Sequence, residues 1–316
     1  MKDLLILGNG MAGMTAALYA KRAGLDFKLV GKDEYDFGQI GSAVLVENYP
    51  GANPMPGYTL ASGLYDQLII NNVQTEEHEV KDVFGYTGGE TGHTYWVVHY
   101  KDGSFEEAKA IIYALGASHR KLSCEIEDEV PIHYCAVCDG PLYKGQTVAI
   151  IGGGDVAFTQ AEYLSKICRL VYIVMCDQNI TASPSTVERV NKLENVVIIQ
   201  DYPVDKIYHY ANGRNGLFCK TQCSDPYSAS VVQADGIFVA IGMIPNTIAI
   251  KDNHRFWNIL DNNGYIKADE MGRTDVSGFF AAGDVRQKEL RQSVTAAADG
   301  ANAVQAVIKY LKGWNE

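Results

Sequence analysis

The residues from Cys135 to Asp139, in the order Cys-Ala-Val-Cys-Asp, carry the clearest chemistry in this chain. Two cysteines separated by two residues, Cys135 and Cys138, can close a small disulfide, and the acid that follows can give or take a proton. A hydrophobic strand predicted at 148–151 then leads into a glycine-rich turn at 152–157. A redox-capable pair beside a turn of the nucleotide-binding type suggests that electrons arrive from a cofactor and leave through sulfur.

Other chemistry stays open for the same cysteines. A zinc site would use four ligands that lie close together in the sequence: Cys124, His133, Cys135 and Cys138. Inert buried thiols are a second alternative. The chain has seven cysteines, and an odd number spread over a long chain argues against a framework of structural disulfides. Cys219 and Cys223 could form another redox pair, although free structural thiols are favoured there.

Two strand–glycine–helix units must position this chemistry. The predicted segments of the first unit are a strand at 4–7, a turn at 8–13, a helix to about 24 and a strand at 27–30. The predicted segments of the second are a strand at 148–151, a turn at 152–157, a helix to about 168 and a strand at 170–174. This alternation of strand and helix predicts a parallel α/β fold.

Each glycine of the first turn has a separate physical task. Gly8 allows the tight turn, Gly10 lets the backbone approach a pyrophosphate, and Gly13 permits close packing of the helix on the strand. The start of the helix then offers free N–H groups to the phosphates. Both turns lie in the strand–turn–helix context that the motif requires. We therefore predict a dinucleotide site at the first turn and the same fold unit at the second.

Further hydrophobic strands surround these units. They are predicted at 94–100, 108–115, 236–242 and 278–285, and a final helix is predicted from about 295 to 311. The strands at 108–115 and 236–242 both run into glycine, where the chain could pass between two domains.

Composition narrows the class of protein. With 316 residues, the chain has room for one large or two ordinary domains. A net charge of −11 disfavours generic binding to nucleic acid or to anionic membranes. No apolar run reaches the length of a membrane span, and the start of the chain resembles a strand rather than a signal peptide. The expectation is a cytoplasmic protein.

Together these motifs resemble the low-molecular-weight thioredoxin reductase family of flavoproteins. The resemblance covers nearly the whole chain, and the motifs come in the order of that family. They are the glycine turn at 8–13, Gly38-Gln39, Glu47-Asn48-Tyr49-Pro50-Gly51, the box from Cys135 to Gly140, the second glycine turn, 240–247 (Ala-Ile-Gly-Met-Ile-Pro-Asn-Thr), 280–285 (Phe-Ala-Ala-Gly-Asp-Val) and Arg291-Gln292.

The resemblance implies two Rossmann-like, three-layer nucleotide-binding domains, the second inserted in the first. Residues 1–117 and 245–316 would form an FAD-binding domain. Residues 118–244 would form a domain like those that bind NAD(P)H, and this domain would carry the redox cysteines. The resemblance also implies a homodimer.

The family motifs suggest a role for each matched residue. Cys138 would face the flavin, Cys135 would attack the disulfide of a protein substrate, and Asp139 would shuttle the proton. The residues expected to bind FAD are Gly8, Gly10, Gly13, Gln39, Asn48, Asp284, Arg291, Gln292 and Ser293. Asp284 would bond the ribityl chain, and the final helix would direct its positive end at the flavin. No metal is expected.

One departure from the family concerns the electron donor. Typical members carry a His-Arg-Arg-x-x-x-Arg cluster that grips the 2′-phosphate of NADPH, whereas this chain has Met-Cys-Asp-Gln-Asn-Ile-Thr at 175–181. A phosphate needs cationic partners, so NADPH is disfavoured. The acid that NADH usually requires at the end of this strand is also missing, because Met175 lies there. The chain looks most like the ferredoxin-dependent flavin thioredoxin reductases.

We therefore expect an FAD-dependent enzyme that reduces the disulfide of thioredoxin, with ferredoxin as the probable donor class. The alternatives are an NADH-dependent thioredoxin reductase and a redox sensor without turnover. An acidic ferredoxin would need a local basic patch. The candidate residues for that patch are Lys21, Arg22, Lys28, Lys32, Arg120 and Lys121. His119, Arg120 and His133 are interpreted as a solvated face or a partner contact, and Trp314 as part of a frayed tail or as an aromatic placed over the flavin.

Overall fold

The computed structural model describes residues 1–43, 46, 48–87, 93–219 and 230–314. The chain divides into two compact units. One unit consists of Met1–Ser118 and Ile244–Glu316, and the other of His119–Met243. Each boundary lies one residue from the predicted one. The order of the segments makes the second unit an insertion in the first.

The first part of the discontinuous unit is mainly a sheet with two helices. Its strands are β1 (Lys2–Leu7), β2 (Phe27–Gly31), β3 (Thr75–Glu77), β4 (Val80–Thr87), β5 (Thr94–Tyr100), β6 (Phe105–Tyr113) and β7 (Ala117–His119). Its helices are α1 (Met11–Arg22) and α2 (Gly57–Ile70), with a short 3-10 helix at Gly38–Ser42. Helix α1 ends two residues before the predicted end, ahead of Gly24, whose φ of +71° does not fit a helix.

The inserted unit holds the cysteine box and the second glycine turn. Its strands are β8 (Glu125–Ile126), β9 (Ile132–His133), β10 (Thr147–Ile151), β11 (Leu170–Val174), β12 (Val196–Ile199), β13 (Val204–His209), β14 (Asn215–Cys219), β15 (Ser230–Ala234) and β16 (Gly236–Val239). Its helices are α3 (Ala136–Asp139), α4 (Asp155–Leu164) and α5 (Pro184–Asn191), with a 3-10 helix at Gly140–Tyr143.

The chain then returns to the first unit. The remaining elements are β17 (Met243–Pro245), α6 (Ile248–Lys251), a 3-10 helix at His254–Ile259, β18 (Phe279–Ala281), a 3-10 helix at Gly283–Val285 and α7 (Ser293–Lys312). Helix α7 begins two residues before the predicted start because Gln292 and Thr295 form a capping box there. No helix in the described part of the chain combines the length and the hydrophobicity that a membrane crossing requires.

The sheet of the first unit has seven strands, in the order β3-β2-β1-β6-β5-β4, with β18 also paired to β6. Alternate residues of β1 enter different cores. Leu4 and Ile6 belong to a core shared with α1 and α7, whereas Leu5 and Leu7 pack with residues of β5, β6 and β18. Burial on both faces is typical of a parallel central strand, and it explains why 4–7 is an uninterrupted apolar run.

The inserted unit repeats this layering. A parallel sheet has the strand order β12-β11-β10-β16-β9, and a second sheet has the order β15-β14-β13-β8. Val148 and Ile150 of β10 pack against α4, whereas Ala149 and Ile151 pack against the second sheet. The observed fold is therefore the predicted α/β class, with a nucleotide-type strand–turn–helix in each unit.

Candidate active site

The two cysteines of the box form a disulfide in the structure. Cys135 immediately precedes the short helix α3, Cys138 lies within it, and their Cα atoms are 5.3 Å apart. The backbone N–H of Cys138 donates to Sγ of Cys135 at 3.2 Å, and the N–H of Asp139 donates to the carbonyl of Cys135 at 3.0 Å. The described residues contain no group of three or more potential metal ligands. Cys124, His133, Cys135 and Cys138 are thus not brought together as a ligand set in this part of the chain.

Asp139 is buried next to this disulfide. It is 7% exposed, and its Oδ2 lies 3.2 Å from Nδ1 of His133. Nε2 of His133 lies 2.7 Å from the hydroxyl of Tyr143. The other carboxylate oxygen, Oδ1, is buried and has no hydrogen-bond partner in the described part of the chain. An acid with one buried oxygen left open is suited to exchange a proton with a neighbouring sulfur.

The interpretation of His133 as a solvated face or a partner contact is wrong. His133 is 7% exposed because β9 pairs with β16, which places its ring against Phe238. The position of His133, two residues before Cys135, was the available sequence signal. His119, by contrast, is half-buried with its ring stacked on Tyr134 at 4.3 Å, and burial lowers its pKa.

The first glycine turn has the geometry of a phosphate cradle. A Cβ at Gly8 would stand 2.3 Å from the carbonyl oxygen of Ala114, and one at Gly13 would stand 1.6 Å from the carbonyl oxygen of Gly8. Around Gly10, the only described atom within 4 Å of such a Cβ is the carbonyl oxygen of Phe37, at 3.5 Å. The N-cap of α1 is Gly10, which has no side chain to bond the free N–H groups at the start of the helix. The backbone is thus left open to a ligand where the motif predicts a pyrophosphate.

The residues expected to contact FAD near the C-terminus surround the start of α7. Oδ1 of Asp284 is buried without a hydrogen-bond partner among the described residues, and burial raises the pKa of this carboxyl. Nε of Arg291 donates to the carbonyl of Asp284 at 3.3 Å, and its guanidinium stacks 4.1 Å from the ring of Tyr265. Gln292 is the cap of α7, and Ser293 is the first residue of the helix.

Gln39 and Asn48 bond to other parts of the same unit. Nε2 of Gln39 donates to the carbonyl of Ala117 at 2.6 Å, and Nδ2 of Asn48 donates to Oε1 of Gln292 at 3.0 Å. The structure thereby links Asn48 to the start of α7, 244 residues further along the chain. Glu47, which belongs to the same sequence motif as Asn48, lies outside the described residues.

These residues fit FAD. The open glycine turn offers N–H groups to a pyrophosphate, and the orphaned oxygen of Asp284 is an acceptor for a ligand hydroxyl. Both features lie in the discontinuous unit. Nζ of Lys288 lies 3.6 Å from Oδ1 of Asp284, which is an ion-pair distance but not a hydrogen bond, so a ligand hydroxyl that donates to this oxygen would satisfy it.

The second glycine turn differs from the first. At the end of β11, Met175 is buried, and its Cε would stand 2.6 Å from a Cβ added at Gly153. The backbone N–H of Thr181 donates to the carbonyl of Gly153 at 3.0 Å, and that of Ser183 donates to Oδ1 of Asp155 at 2.8 Å. The loop after β11 is therefore bonded to the turn and to the first residue of α4.

This loop supplies no positive charge for a phosphate. The chain has no lysine or arginine from 175 to 181. The carboxylate of Asp177 is engaged locally, accepting the backbone N–H of Asn179 at 2.8 Å. At the start of α4, the hydrogen bonds from Ser183 lower the pKa of Asp155, which keeps a negative charge there. A 2′-phosphate would meet carboxylates where it needs cations.

The other cysteines are single thiols where they are described. Cys168 and Cys219 are buried, and burial raises the pKa of each thiol to about 11. Cys176 is exposed, and its Sγ lies 3.7 Å from Oδ2 of Asp177. Cys223 lies outside the described residues, so the predicted pairing with Cys219 stays untested.

Comparison with known proteins identifies relatives along the full length. A family model described as pyridine nucleotide-disulphide oxidoreductase matches residues 2–300. A thioredoxin reductase of Listeria monocytogenes is 35% identical over 317 residues, covering 99% of this chain and 95% of the relative. The crystal structure of a thioredoxin reductase from Streptococcus pyogenes has 34% identity and a TM-score of 0.85, with 99% of each chain covered.

The comparisons do not support the predicted ferredoxin-dependent subgroup. A ferredoxin-flavin thioredoxin reductase of Clostridium acetobutylicum is 24% identical with a TM-score of 0.52, over 99% of this chain and 98% of that one. At that identity, the likeness shows the fold alone. The more similar relatives carry the plain name thioredoxin reductase, which does not state a donor.

Proposed function

Because the chain belongs to the pyridine nucleotide-disulphide oxidoreductase family and is an FAD-binding disulfide oxidoreductase, we propose that it reduces the disulfide of thioredoxin. The observation that carries the proposal is the Cys135–Cys138 disulfide with the buried carboxyl of Asp139 beside it. A purely structural disulfide would have no need of a buried acid with an open oxygen.

The proposed chemistry divides between the two sulfurs. FAD, when bound, would supply the reducing electrons; Cys138 would be the sulfur that faces it, Cys135 the sulfur released as the attacking thiolate, and Asp139 the acid that holds a proton for the pair. The Cys135 thiolate then attacks a sulfur of thioredoxin and forms a mixed disulfide. The Cys138 thiolate attacks Cys135, releases reduced thioredoxin and re-forms the internal disulfide. Two electrons and two protons leave with the thioredoxin dithiol, one proton by way of Asp139 and the other from solvent.

A trapping experiment tests these roles. The C138S variant keeps the attacking thiol but lacks the resolving one, so it should hold thioredoxin in a stable mixed disulfide. The matched C135S variant should form none. Both variants should also carry C176S, because Cys176 is the exposed free cysteine of the described residues. Absence of an adduct and of insulin reduction in a yellow, folded protein would instead favour a redox sensor.

The electron donor proposed for this enzyme is not NADPH. Support comes from the uncharged and acidic loop at 175–181, from Met175 packed on Gly153 and from the ionised Asp155 at the start of α4. Ferredoxin is the donor class we propose. Because ferredoxin carries one electron, two transfers are needed to open the disulfide.

The basic patch for such a donor is smaller than the sequence suggested. The ammonium of Lys28 is held between the carboxylates of Glu76 and Glu106, which neutralise it. The remaining candidates divide between the units, with Lys21, Arg22 and Lys32 in one and Arg120 and Lys121 in the other. A reverse-charge variant such as K32E should slow reduction by ferredoxin at low salt if the first group forms the patch, with K28E as its matched control.

Anaerobic mixing with single donors decides this part of the proposal. NADPH and NADH are each mixed rapidly with the oxidised protein, and the absorbance of the flavin is followed. We expect slow or no bleaching with either nucleotide and rapid bleaching with reduced ferredoxin, while dithionite serves as the control for a reducible flavin. Rapid bleaching by NADH or NADPH would contradict the donor proposal and leave the thioredoxin proposal standing.

A homodimer in solution is also part of the proposal, carried over from the resemblance to the family. Sedimentation equilibrium of the purified FAD-loaded protein measures this directly. A mass of twice 34.6 kDa is expected, and a mass of one chain would contradict it.

A further inference from the structure

We infer that His133 is the positioning residue for Asp139 and that, with Tyr143, it forms the path by which Asp139 exchanges protons with solvent. The inference rests on the proposed function, because it concerns the proton that disulfide reduction consumes. All three residues lie in the inserted unit. The site residues predicted from the sequence include Asp139 but neither of its two partners.

The three side chains form one row of polar contacts, in which His133 and Tyr143 share a hydrogen bond and His133 and Asp139 approach at ion-pair distance. Oδ2 of Asp139 lies 3.2 Å from Nδ1 of His133, and Nε2 of His133 lies 2.7 Å from the hydroxyl of Tyr143. Asp139 and His133 are each 7% exposed, whereas Tyr143 is half-buried. The row thus connects the buried carboxyl of Asp139, the residue that follows Cys138, to the half-buried side chain of Tyr143.

Packing holds the imidazole in this orientation. His133 is paired with Phe238 in the β9–β16 ladder, and its ring centroid lies 5.3 Å from those of both Phe238 and Tyr143. The ring of Tyr143 occupies the space where a side chain at position 236 would stand, since a Cβ at Gly236 would lie 2.6 Å from it. A histidine fixed on both sides can orient its partner carboxyl at low entropic cost.

The two ring nitrogens of histidine can donate and accept hydrogen bonds at the same time, which allows a proton to pass from Tyr143 to Asp139. A neutral imidazole can donate Nδ1–H to Asp139 while Nε2 accepts the hydroxyl proton of Tyr143. In the imidazolium form both ring nitrogens donate, so a proton arriving from Tyr143 can leave towards Asp139. Oδ1 of Asp139, which has no partner among the described residues, is then the oxygen left to face the sulfur chemistry.

In the reduction of the Cys135–Cys138 disulfide, the proton that Asp139 gives up is finally replaced by one from water. Two electrons that break the S–S bond leave two thiolates, and one proton from Asp139 converts one of them into a thiol. The carboxylate of Asp139 regains its proton from His133, which takes one from the hydroxyl of Tyr143. Tyr143 is reprotonated by water. No other oxidant or reductant is required.

Burial and the charges around Tyr143, at the end of the row opposite Asp139, keep its hydroxyl protonated. The groups that face the row are Asp139 on α3, Tyr143 itself and Asp235, whose Oδ1 lies 3.2 Å from Nε of Arg214. Burial raises the pKa of Tyr143, and the charges of Asp139 and Asp235 add to this. The hydroxyl therefore stays protonated at neutral pH and keeps its hydrogen bond with Nε2 of His133.

Isosteric variants separate the two polar contacts of His133. In H133N, the amide can take the place of Nδ1 and keep the contact with Asp139, whereas in H133Q it can take the place of Nε2 and keep the hydrogen bond to Tyr143. Y143F removes only the hydroxyl. H209Q is the matched control, since His209 bonds Asn215 through Nδ1 elsewhere in the same unit.

The measurement is the rate at which iodoacetamide alkylates the reduced cysteine pair, as a function of pH, in the FAD-free and the FAD-loaded protein. We expect H133Q to shift the pH midpoint of alkylation, because Asp139 is no longer held. H133N and Y143F should keep the midpoint but slow single-turnover reduction of thioredoxin about tenfold, less than the loss of a direct general acid. H209Q should match the wild type in both.

The two proposals can fail separately. If the wild type does not exchange with thioredoxin, the proposed function fails, while the alkylation profile still tests His133. The inference is overturned if the pH midpoint of alkylation in H133Q equals that of H209Q and the rate of thioredoxin reduction by Y143F also equals that of H209Q. Should H133Q fail to fold, the rate of Y143F decides alone.

Discussion

The side chain of Met175 lies on Gly153, with Cε only 2.6 Å from the position of an added Cβ. Met175 follows Val174, the last residue of β11, and the end of this strand determines nucleotide preference in this kind of fold; Gly153 is the middle glycine of the second turn. An apolar contact therefore lies at the end of this strand, and it supports the proposed donor other than NADPH.

The two glycine turns should respond differently to the same substitution. In G13A the new methyl would stand 1.6 Å from a backbone oxygen, which cannot move without disturbing the strand. We expect loss of FAD and a destabilisation above about 4 kcal/mol. In G153A the methyl meets only the flexible end of Met175, so the expected cost is about 1 kcal/mol or less. Chemical denaturation and the flavin content of the purified variants measure both.

The D284N variant should bind FAD more weakly than the wild type, but its FAD-free form should be more stable. Burial raises the pKa of Asp284 above its ordinary value of 3.8, so the folded FAD-free chain binds this proton more tightly than the unfolded chain does. The carboxylate therefore costs stability above the raised pKa, and this cost disappears as the pH falls below 3.8. We expect D284N to stabilise the FAD-free protein at neutral pH and to weaken FAD binding about tenfold or more.

Thermal unfolding of the FAD-free protein at neutral pH and near pH 4 tests the sign. The advantage of D284N should shrink as the pH falls. The same substitution at the exposed Asp275 of the same unit, D275N, is the control and should change neither property. A D284N variant that is less stable than the wild type at neutral pH would contradict the argument.

The ion pair of Arg286 and Asp299 should be far more important than surface pairs. Their atoms are 2.6 Å apart, both residues are buried, and Asp299 also accepts the backbone N–H of Gly283 at 3.0 Å. D299A should cost about 3–5 kcal/mol, because Arg286 is left buried without its counter-ion. E188A, which breaks an exposed pair with Lys192, should leave the free energy of unfolding almost unchanged. Equal effects in urea titrations would refute the distinction.

Trp314 should matter for stability rather than for the flavin. Its ring stacks on His93 at 4.7 Å, and the ammonium of Lys109 lies 5.9 Å from the ring centroid. This packing within the first unit replaces the interpretation of Trp314 as part of a frayed tail, and the alternative of an aromatic placed over the flavin is tested by the spectrum of W314A. W314A should cost about 2 kcal/mol, W314F less, and neither should change the absorbance spectrum of bound FAD. A shifted flavin spectrum in W314A would contradict the assignment.

The sequence by itself determined the features that depend on local chemistry. The spacing of Cys135 and Cys138 defines a redox pair, and the two glycine turns define two strand–turn–helix units, because tight turns and close helix packing restrict the residue at each position. Apolar runs such as 4–7 identify buried parallel strands for the same reason. The class of fold follows from these local patterns, whereas the FAD cofactor and the enzyme class came from the resemblance of the ordered motifs to a flavoprotein family.

Only the tertiary structure decided which side chains meet across the chain. His133 lies beside Asp139 because β9 pairs with β16, a strand about a hundred residues away, and Lys28 is neutralised because β2, β3 and β6 belong to one sheet. Met175 covers Gly153 because β10 and β11 end at the same edge. Such contacts depend on strand pairing and side-chain direction, which no spacing along the sequence specifies.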